Sequence, residues 1–369
     1  MRALALVLLF MLAGCAAQGT PREAEPIPLA PDQVILPTAW QHVPATETAA
    51  PRPWWKALHD PVLDDLIAQA LDHNPEIKVA TARLDEIRTI VADADHGDEV
   101  AAMAQLRAAE ADVHVVQLEV SHAVTAAYAD ARLAEKKRGM LQQRMQLALE
   151  LTTRLHRKLE AGLINARLLR ESEQAGIDTR EAAAKNHQKH RQALARLALL
   201  SGQAPIAFTL APGPDLFAVA LVVQPDLPST VMDRRPDVQA AWQRLLAAIA
   251  VDGDNDSLPL GVQLEQADAA PAGREALYRK SVFAALQEVE VALSVWRLAD
   301  QQNRAAADAL EMQSANVHDL ERELTAGRVS RIEGIHAALA ENQALESVLQ
   351  AQYGRINAYA AAQLALASD

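Results

Sequence analysis

Two long runs of helical periodicity constrain the fold of this chain more than any other feature. Between residue 113 and about residue 160, and again between residues 282 and 324, apolar side chains recur three and four positions apart. At 1.5 Å of rise per residue, the first run would form a helix roughly 70 Å long. A helix of that length cannot be buried in a compact sphere, so we expect these helices to pack lengthwise as coiled coils.

Each run ends at an Ala-Gly pair, after which helical periodicity resumes. Gly162 separates the first run from a helix that reaches about residue 200, and Gly327 separates the second from a helix that closes the chain. A proline-containing block precedes each hairpin, over residues 71–76 in the first half and 232–237 in the second. Related blocks in the same order, at nearly the same separation, indicate an internal repeat.

The predicted fold is therefore mainly α, with long antiparallel coiled-coil helical hairpins in two tandem repeats. The first repeat covers residues 54–220 with its turn near residue 162, and the second covers residues 221–369 with its turn near residue 327. The composition agrees, because only 14 residues are glycine and 4% are aromatic. Such a mix suits long helices better than an ordinary α/β domain.

The first 14 residues have the pattern of an export signal. Met1-Arg2 is a basic start, and residues 3–11 are apolar but too few to span a bilayer as a helix, which takes about 20 residues. Leu12-Ala13-Gly14-Cys15 has the form of the bacterial lipobox, in which cleavage before the cysteine leaves it as the lipidated first residue. The alternative is an ordinary signal peptide that happens to contain a cysteine.

Cys15 is the only cysteine, so an intramolecular disulfide is excluded, and lipidation would account for the presence of this single thiol. No aspartate follows it as an inner-membrane retention signal, and we therefore expect anchoring to outer-membrane lipid with the body in the periplasm. Residues 15–53 are rich in proline, which interrupts helices and sheet ladders. This segment is interpreted as an extended tether from the lipid to the body.

The chain shows no pattern typical of an enzyme. There is no Ser-His-Asp set, phosphate loop or nucleotide fingerprint, so we expect neither catalysis nor a cofactor. The net charge of −13 argues against nucleic acid as a partner, because phosphate binding needs a basic surface.

Two short patterns have the spacing of metal ligands. His187 and His190 lie three residues apart on a helix, but lysines and an arginine surround them and would repel a cation. Asp252, Asp254 and Asp256 resemble the start of a calcium loop, but serine replaces the glycine that such a loop requires. We interpret the first as a solvated helix face and the second as a polar turn, and we predict no metal site.

The segments around the proline blocks resemble a known family. The chain reads Trp54-Trp55-Lys56-Ala57-Leu58-His59-Asp60-Pro61 before the first short helix, Asn74-Pro75 after it, and Arg235-Pro236-Asp237-Val238 at the start of the second repeat. Together with the lipobox, these blocks resemble the outer-membrane efflux protein family (TolC-like), specifically the NodT-type lipoproteins of RND efflux systems. The family signature residues are Trp54, Trp55, Asp60, Pro61, Asn74, Pro75, Arg235, Pro236 and Asp237.

The resemblance implies a homotrimer whose protomers contribute coiled-coil hairpins to a periplasmic helical tunnel, a TolC-like α-barrel. The tunnel would meet a periplasmic adaptor (a membrane fusion protein) and an inner-membrane RND pump, and small molecules would leave through it. The implied function is that of the outer-membrane lipoprotein component of a tripartite efflux system. Members of the family are not enzymes.

By the same resemblance, the two hairpin turns are the adaptor-docking tips. The alternative is that each glycine only supplies the positive φ that reverses the chain, and the two interpretations are compatible. The family usually has an aromatic residue at the positions where this chain has leucine. The predicted docking residues are Leu159, Ala161, Gly162, Leu324, Ala326 and Gly327.

The chain departs from the family in the two gaps between the short helices and the hairpins. A membrane-spanning strand needs about 9–11 residues of alternating apolar character, and barrels carry aromatic girdles. Residues 91–112 and 251–276 have neither feature. We therefore expect helix in most of the first gap and little or no β-barrel. The alternative function is a lipid-tethered periplasmic coiled-coil scaffold, or a degenerate homologue without transport activity.

Overall fold

The computed structural model describes residues 36–41, 53–92, 99–252 and 271–368. The predicted signal peptide, Cys15 and most of the predicted tether lie outside these residues. So does most of the second gap, including Asp254 and Asp256 of the weak calcium pattern.

The described residues are predominantly helical. Two short 3-10 helices, Trp54–Leu58 and Leu216–Ala218, accompany the α-helices. The α-helices are α1 (Pro61–His73), α2 (Pro75–Ala92), α3 (Glu99–Glu160), α4 (Ala166–Leu200), α5 (Pro228–Arg234), α6 (Pro236–Asp252), α7 (Pro271–Thr325) and α8 (Arg331–Ala365).

The prediction of a mainly α fold with long helical hairpins is confirmed. Within the described ranges the chain forms no strand, and α3 already begins at Glu99. Residues 99–112 of the first gap are thus helical, as their alanine-rich composition predicts. Among the described helices, none combines the length and the apolarity needed to cross a membrane.

The long helices lie side by side in a fixed order. α3 packs against its hairpin partner α4 along one side and against α8 along the other, while α7 packs against α8. The short helices extend this layer, because α2 and α6 both contact α3 beyond the ends of α4 and α8, and α6 also contacts α7. The order across the layer is therefore α2 with α4, then α3, then α6 with α8, then α7.

The main core lies where the short and long helices meet. Trp54, Tyr128, Tyr278 and Tyr359 are among its fully buried side chains. Trp40, in the segment that the sequence assigns to the tether, is also buried there, and its indole Nε1 donates to the carbonyl oxygen of Asp226 at 2.7 Å. Large aromatic side chains bury much apolar area, so this level anchors both repeats to each other.

Candidate functional site: hairpin turns and helix joints

The two hairpin turns have the same backbone geometry. Gly162 and Gly327 both have φ of +71°, a conformation that costs glycine little and other residues more. The glycine amides donate to the carbonyl oxygens of Leu159 and Leu324, at 2.9 and 3.0 Å. The amide of the next residue, Leu163 or Arg328, donates to the carbonyl oxygen five positions back. This hydrogen bond satisfies the helix C-terminus in the manner of a Schellman motif.

Each return helix begins with a side-chain cap at the same position of the turn. Asn165 Oδ1 accepts hydrogen bonds from the amides of Arg167 and Leu168. Ser330 forms a capping box with Glu333, whose carboxylate accepts from the Ser330 amide at 2.6 Å. Hydrogen bonds within each turn therefore satisfy both the end of one helix and the start of the next.

The turns present exposed side chains on this ordered backbone. Ala161, Gly162, Ala326 and Gly327 are exposed, while Leu159 and Leu324 are half-buried. A side chain at either glycine would meet nothing within 4 Å, so the space in front of each turn is open. Leu163, directly after the first glycine, is 71% exposed.

The two hairpins are fastened to each other close to these turns. Arg331, at the start of α8, donates to both carboxylate oxygens of Glu150 in α3, at 2.9 and 2.8 Å. The hydrogen bonds from Arg331 lower the pKa of Glu150 to about 2; partial burial opposes the shift, and Arg154 adds to it. A small apolar cluster under the bridge joins α3, α4 and α8: Leu151, Leu155, Leu169 and Ile335. Because these contacts join the hairpins, the two turns lie at the end of one continuous surface.

At the other end of the hairpins, Asn74 and Arg235 of the two proline blocks join helices end to end. Asn74 caps α2 through Oδ1 and donates from Nδ2 to the carbonyl oxygen of Leu200, the last residue of α4, at 2.9 Å. In the second repeat, Arg235 Nη1 donates to the carbonyl oxygen of Ala365, the last residue of α8, at 2.7 Å. Pro75 and Pro236 each begin the next helix, where a missing amide hydrogen costs nothing.

The second residue after each hairpin has a positive φ in both halves of the chain. Gly202 has φ of +69° and Ala367 has φ of +46°. A Cβ atom on Gly202 would lie 2.7 Å from the carbonyl oxygen of His73, the last residue of α1, so the end of α4 packs closely against the junction of α1 and α2. Arg235 is held in its joint by further ion pairs, at 2.7 Å to both Asp237 and Glu288. Each proline block thus connects the helix that it begins to the end of the hairpin in the same half of the chain.

In the tryptophan block, Trp54 and Asp60 are buried in the core, whereas Pro61 is exposed. Trp54 is fully buried, in edge contact with Trp55 and 6.0 Å from the ring of Tyr359. Asp60 caps α1 by accepting from the amides of Val62 and Leu63, and Pro61 follows at the first helical position.

A buried polar network extends from Asp60. Its carboxylate accepts a hydrogen bond of 2.5 Å from the hydroxyl of Tyr128 in α3, and Arg132 donates in turn to that hydroxyl at 3.0 Å. Burial, followed by the Asp60 hydrogen bond, raises the pKa of Tyr128 far above its usual value. Tyr128 and Arg132 cannot be recognised as partners of Asp60 from the sequence, because neither stands out from the helical periodicity of α3.

The weak metal pattern in α4 has another environment in the structure. His187 is exposed, and His190 faces Glu135 of α3, with its ring nitrogen 3.5 Å from the carboxylate. Among the described residues, no group of three or more histidine, cysteine or acidic side chains could hold a metal ion.

Comparison with known proteins bears on the fold. No protein-family model matches the sequence, and no curated protein does either. Among solved structures, the outer-membrane channel OprN matches with a TM-score of 0.75 at 18% identity, over 90% of this chain and 95% of its own. The MtrE outer-membrane channel of Neisseria gonorrhoeae, in its open state, matches with a TM-score of 0.72 at 18% identity, over 89% of this chain and 94% of its own.

The CmeC outer-membrane channel of Campylobacter jejuni matches with a TM-score of 0.71 at 14% identity, over 90% of this chain and 91% of its own. This chain has the TolC-like fold. The resemblance that the tryptophan and proline blocks suggested is therefore confirmed at the level of the fold. Within the TolC-like fold of this chain, the hairpin turns and the helix joints are the features that recur in both repeats.

Proposed function

We propose that this protein is the outer-membrane component of a tripartite RND-type efflux system and forms a periplasmic helical tunnel for the export of small molecules. The pair of exposed, self-supporting hairpin turns at one end of a joined four-helix layer is the observation that carries the proposal. Support also comes from the fold, which is that of proteins described as outer-membrane channels. In this role the protein transports and does not catalyse.

The turns are the proposed docking site for a periplasmic adaptor, which in turn contacts the inner-membrane pump. A docking surface must be exposed and must lose little conformational entropy on binding. The hydrogen bonds within each turn and the Glu150–Arg331 bridge between the hairpins meet the second requirement. The open space in front of Gly162 and Gly327 meets the first.

The proposed assembly is a homotrimer. The outer helices of the layer, α7 at one edge and α2 with α4 at the other, each leave large apolar side chains exposed. Two different edges that cover each other form a heterologous contact, which closes into a ring when the rotation allows. The exposed apolar residues are Phe283, Val291, Val295 and Leu298 on α7, and Val79, Ile177 and Leu199 on the opposite edge.

Attachment to outer-membrane lipid through acylated Cys15 completes the proposal. A Cys15→Ser variant should lose incorporation of radiolabelled palmitate, while the unchanged protein should be labelled. Labelling of the serine variant would remove the anchor from the proposal without affecting the docking site.

The docking site is tested by substitution at the turns. Leu163→Asp combined with Arg328→Asp changes one exposed residue in each turn and leaves both glycines in place. Ile206→Asp is the control, because Ile206 is 99% exposed in the segment that follows α4, at the end of the hairpin opposite the turn. We expect the double variant to lose co-purification with a co-expressed RND-type adaptor and the control to keep it. Equal retention by both variants would contradict docking at the turns.

The second candidate is the lipid-tethered coiled-coil scaffold without transport activity. The absence of strand-like sequence in residues 251–276 favours it. Conductance across a planar lipid bilayer separates the two candidates. Channel activity of the purified protein would support the efflux component. A non-conducting monomer or dimer that binds no adaptor would support the scaffold.

A further inference from the structure

A cleft runs along α3 between the two helices that flank it, well away from the turns and the joints. It encloses about 590 Å³ and is lined by side chains from α3, α4 and α8. Clefts of about 300–1,000 Å³ accommodate molecules of drug size. The cleft is part of neither the proposed docking site nor the exposed α7 edge.

The charge of this cleft is opposite to that of the whole chain. Of the described residues that line it, five are cationic and two are acidic, whereas the chain carries a net charge of −13. A concave surface with low-dielectric walls concentrates the field of such a cluster. The cationic side chains are Lys137, Arg144, Lys185, Lys189 and Arg196.

Both acidic groups in the cleft are already engaged. Glu346 accepts from Arg144 at 2.7 Å and lies 3.2 Å from the ammonium of Lys137, so that one carboxylate faces two cations. Asp130 accepts a 2.6 Å hydrogen bond from the hydroxyl of Tyr353. Burial, and then this hydrogen bond, raises the pKa of Tyr353 to about 12, so its hydroxyl stays neutral and adds no negative charge.

Cationic charge on α4 remains without an acidic partner. Lys185 forms an exposed ion pair with Glu181, but in the part of the chain that the structure describes neither Lys189 nor Arg196 forms one. Lys185, Lys189 and Arg196 recur at steps of four and seven and so lie along one face of the helix. Lys189 and Arg196 are roughly 10 Å apart along the helix axis.

Apolar side chains of both α3 and α4 also line the cleft. Leu133, Leu141 and Ala193 line the cleft beside the charged groups, and Leu141 and Ala193 are buried. Apolar walls with a few placed charges are typical of small-molecule sites. An arginine guanidinium binds the planar or tetrahedral oxyanions of carboxylate, sulfonate and phosphate groups well, and lysine adds a second point charge.

We propose that this cleft is a binding site for elongated organic anions, with the acidic groups of the ligand on Lys189 and Arg196 and its apolar body against the α3 wall. The site is complete within one protomer. Its lining residues come from α3, α4 and α8 of one chain, so the proposal does not rest on docking or transport.

The test uses the full-length protein and the fluorescent trisulfonate pyranine, a planar aromatic anion that neutral detergent micelles exclude. Binding is followed by fluorescence anisotropy. We expect saturable binding at one site per chain, with at least a tenfold loss of affinity in the Lys189→Gln, Arg196→Gln double variant. Rhodamine 6G, a cationic dye of similar size, should show no saturable binding.

The matched control removes the same charge from α4 outside the cleft. Arg180 and Arg191 are exposed and do not line it, so Arg180→Gln with Arg191→Gln should leave the affinity within twofold. A single Lys189→Glu variant, with folding verified by circular dichroism, should weaken binding at least as much as Lys189→Gln. An unchanged affinity in the cleft variants, or an equal loss in the control, would overturn the proposal.

Discussion

The Asp60–Tyr128 hydrogen bond should contribute more to stability than any other tyrosine bond of the same kind in the described chain. Asp60 is 1% exposed, so water cannot replace the hydroxyl that Tyr128→Phe removes. The variant leaves one carboxylate oxygen of Asp60 and the donor Nε of Arg132 without the partner that each has now. Leaving a buried polar group unsatisfied costs about 1–3 kcal/mol, and more for a charged group, but the other oxygen of Asp60 keeps its two amide donors, so we expect a cost within this range.

The chain contains its own control for this prediction. Tyr353 also donates from its hydroxyl to an aspartate, Asp130, but both residues are only partly buried. Water can hydrate Asp130 after Tyr353→Phe, so this variant should lose about 0.5–1.5 kcal/mol, the net value of an ordinary hydrogen bond. The two substitutions remove the same atom and differ in the burial of the acceptor.

Urea unfolding followed by circular dichroism at 222 nm measures both variants. With a slope of about 3 kcal/mol per M for a chain of this size, Tyr128→Phe should lower the urea midpoint by about 0.3–1 M. Tyr353→Phe should lower it by less than about 0.5 M. If Tyr353→Phe is as destabilising as Tyr128→Phe, or more so, burial of the acceptor does not decide the cost and the reasoning is refuted.

Three further predictions concern the turns and the joints. Gly202→Ala should be more destabilising than Gly162→Ala by at least about 1 kcal/mol in urea unfolding, since both have positive φ but only the former Cβ would collide with a backbone carbonyl. Arg331→Ala should cost up to about 1 kcal/mol above pH 4.5, because the Glu150 carboxylate is partly exposed. Since Arg331 lowers the folded-state pKa of Glu150 to about 2 from an unfolded value near 4.3, this cost should vanish as the pH falls through 2, which unfolding measured across that range would show. Asn74→Ala should lose about 1–2 kcal/mol in thermal unfolding because it removes the cap of α2, and an unchanged midpoint would contradict the cap.

The long hairpins could be predicted from the sequence because their signals are local. Helical periodicity and a glycine at each reversal need no knowledge of distant residues, and both turns lie where Gly162 and Gly327 indicated. Helix starts at Pro61, Pro75 and Pro236 follow from the fixed φ of proline, which suits the first helical turn.

What the sequence left open depends on contacts between distant residues. Asp60 belongs to a block that resembles a known family, but its partner Tyr128 lies in the middle of a helix and no spacing rule connects the two. Arg235 directly precedes the proline that begins α6, but its hydrogen bond to the end of α8, more than a hundred residues away, has no sequence signal. The placement of α3 between α4 and α8 likewise follows from tertiary packing, because one amphipathic helix can bury more than one face.

The helix joints give the layer an uneven stiffness along its length. α3 and α7 run unbroken past the level where α2 meets α4 and α6 meets α8, and there the interrupted helices are linked through the side chains of Asn74 and Arg235. Bending of the layer would therefore concentrate at this level. The two continuous helices would bend elastically, and the gaps at the two joints would widen or narrow. A lateral force on the distant turns would therefore rotate each hairpin about its own base at this level.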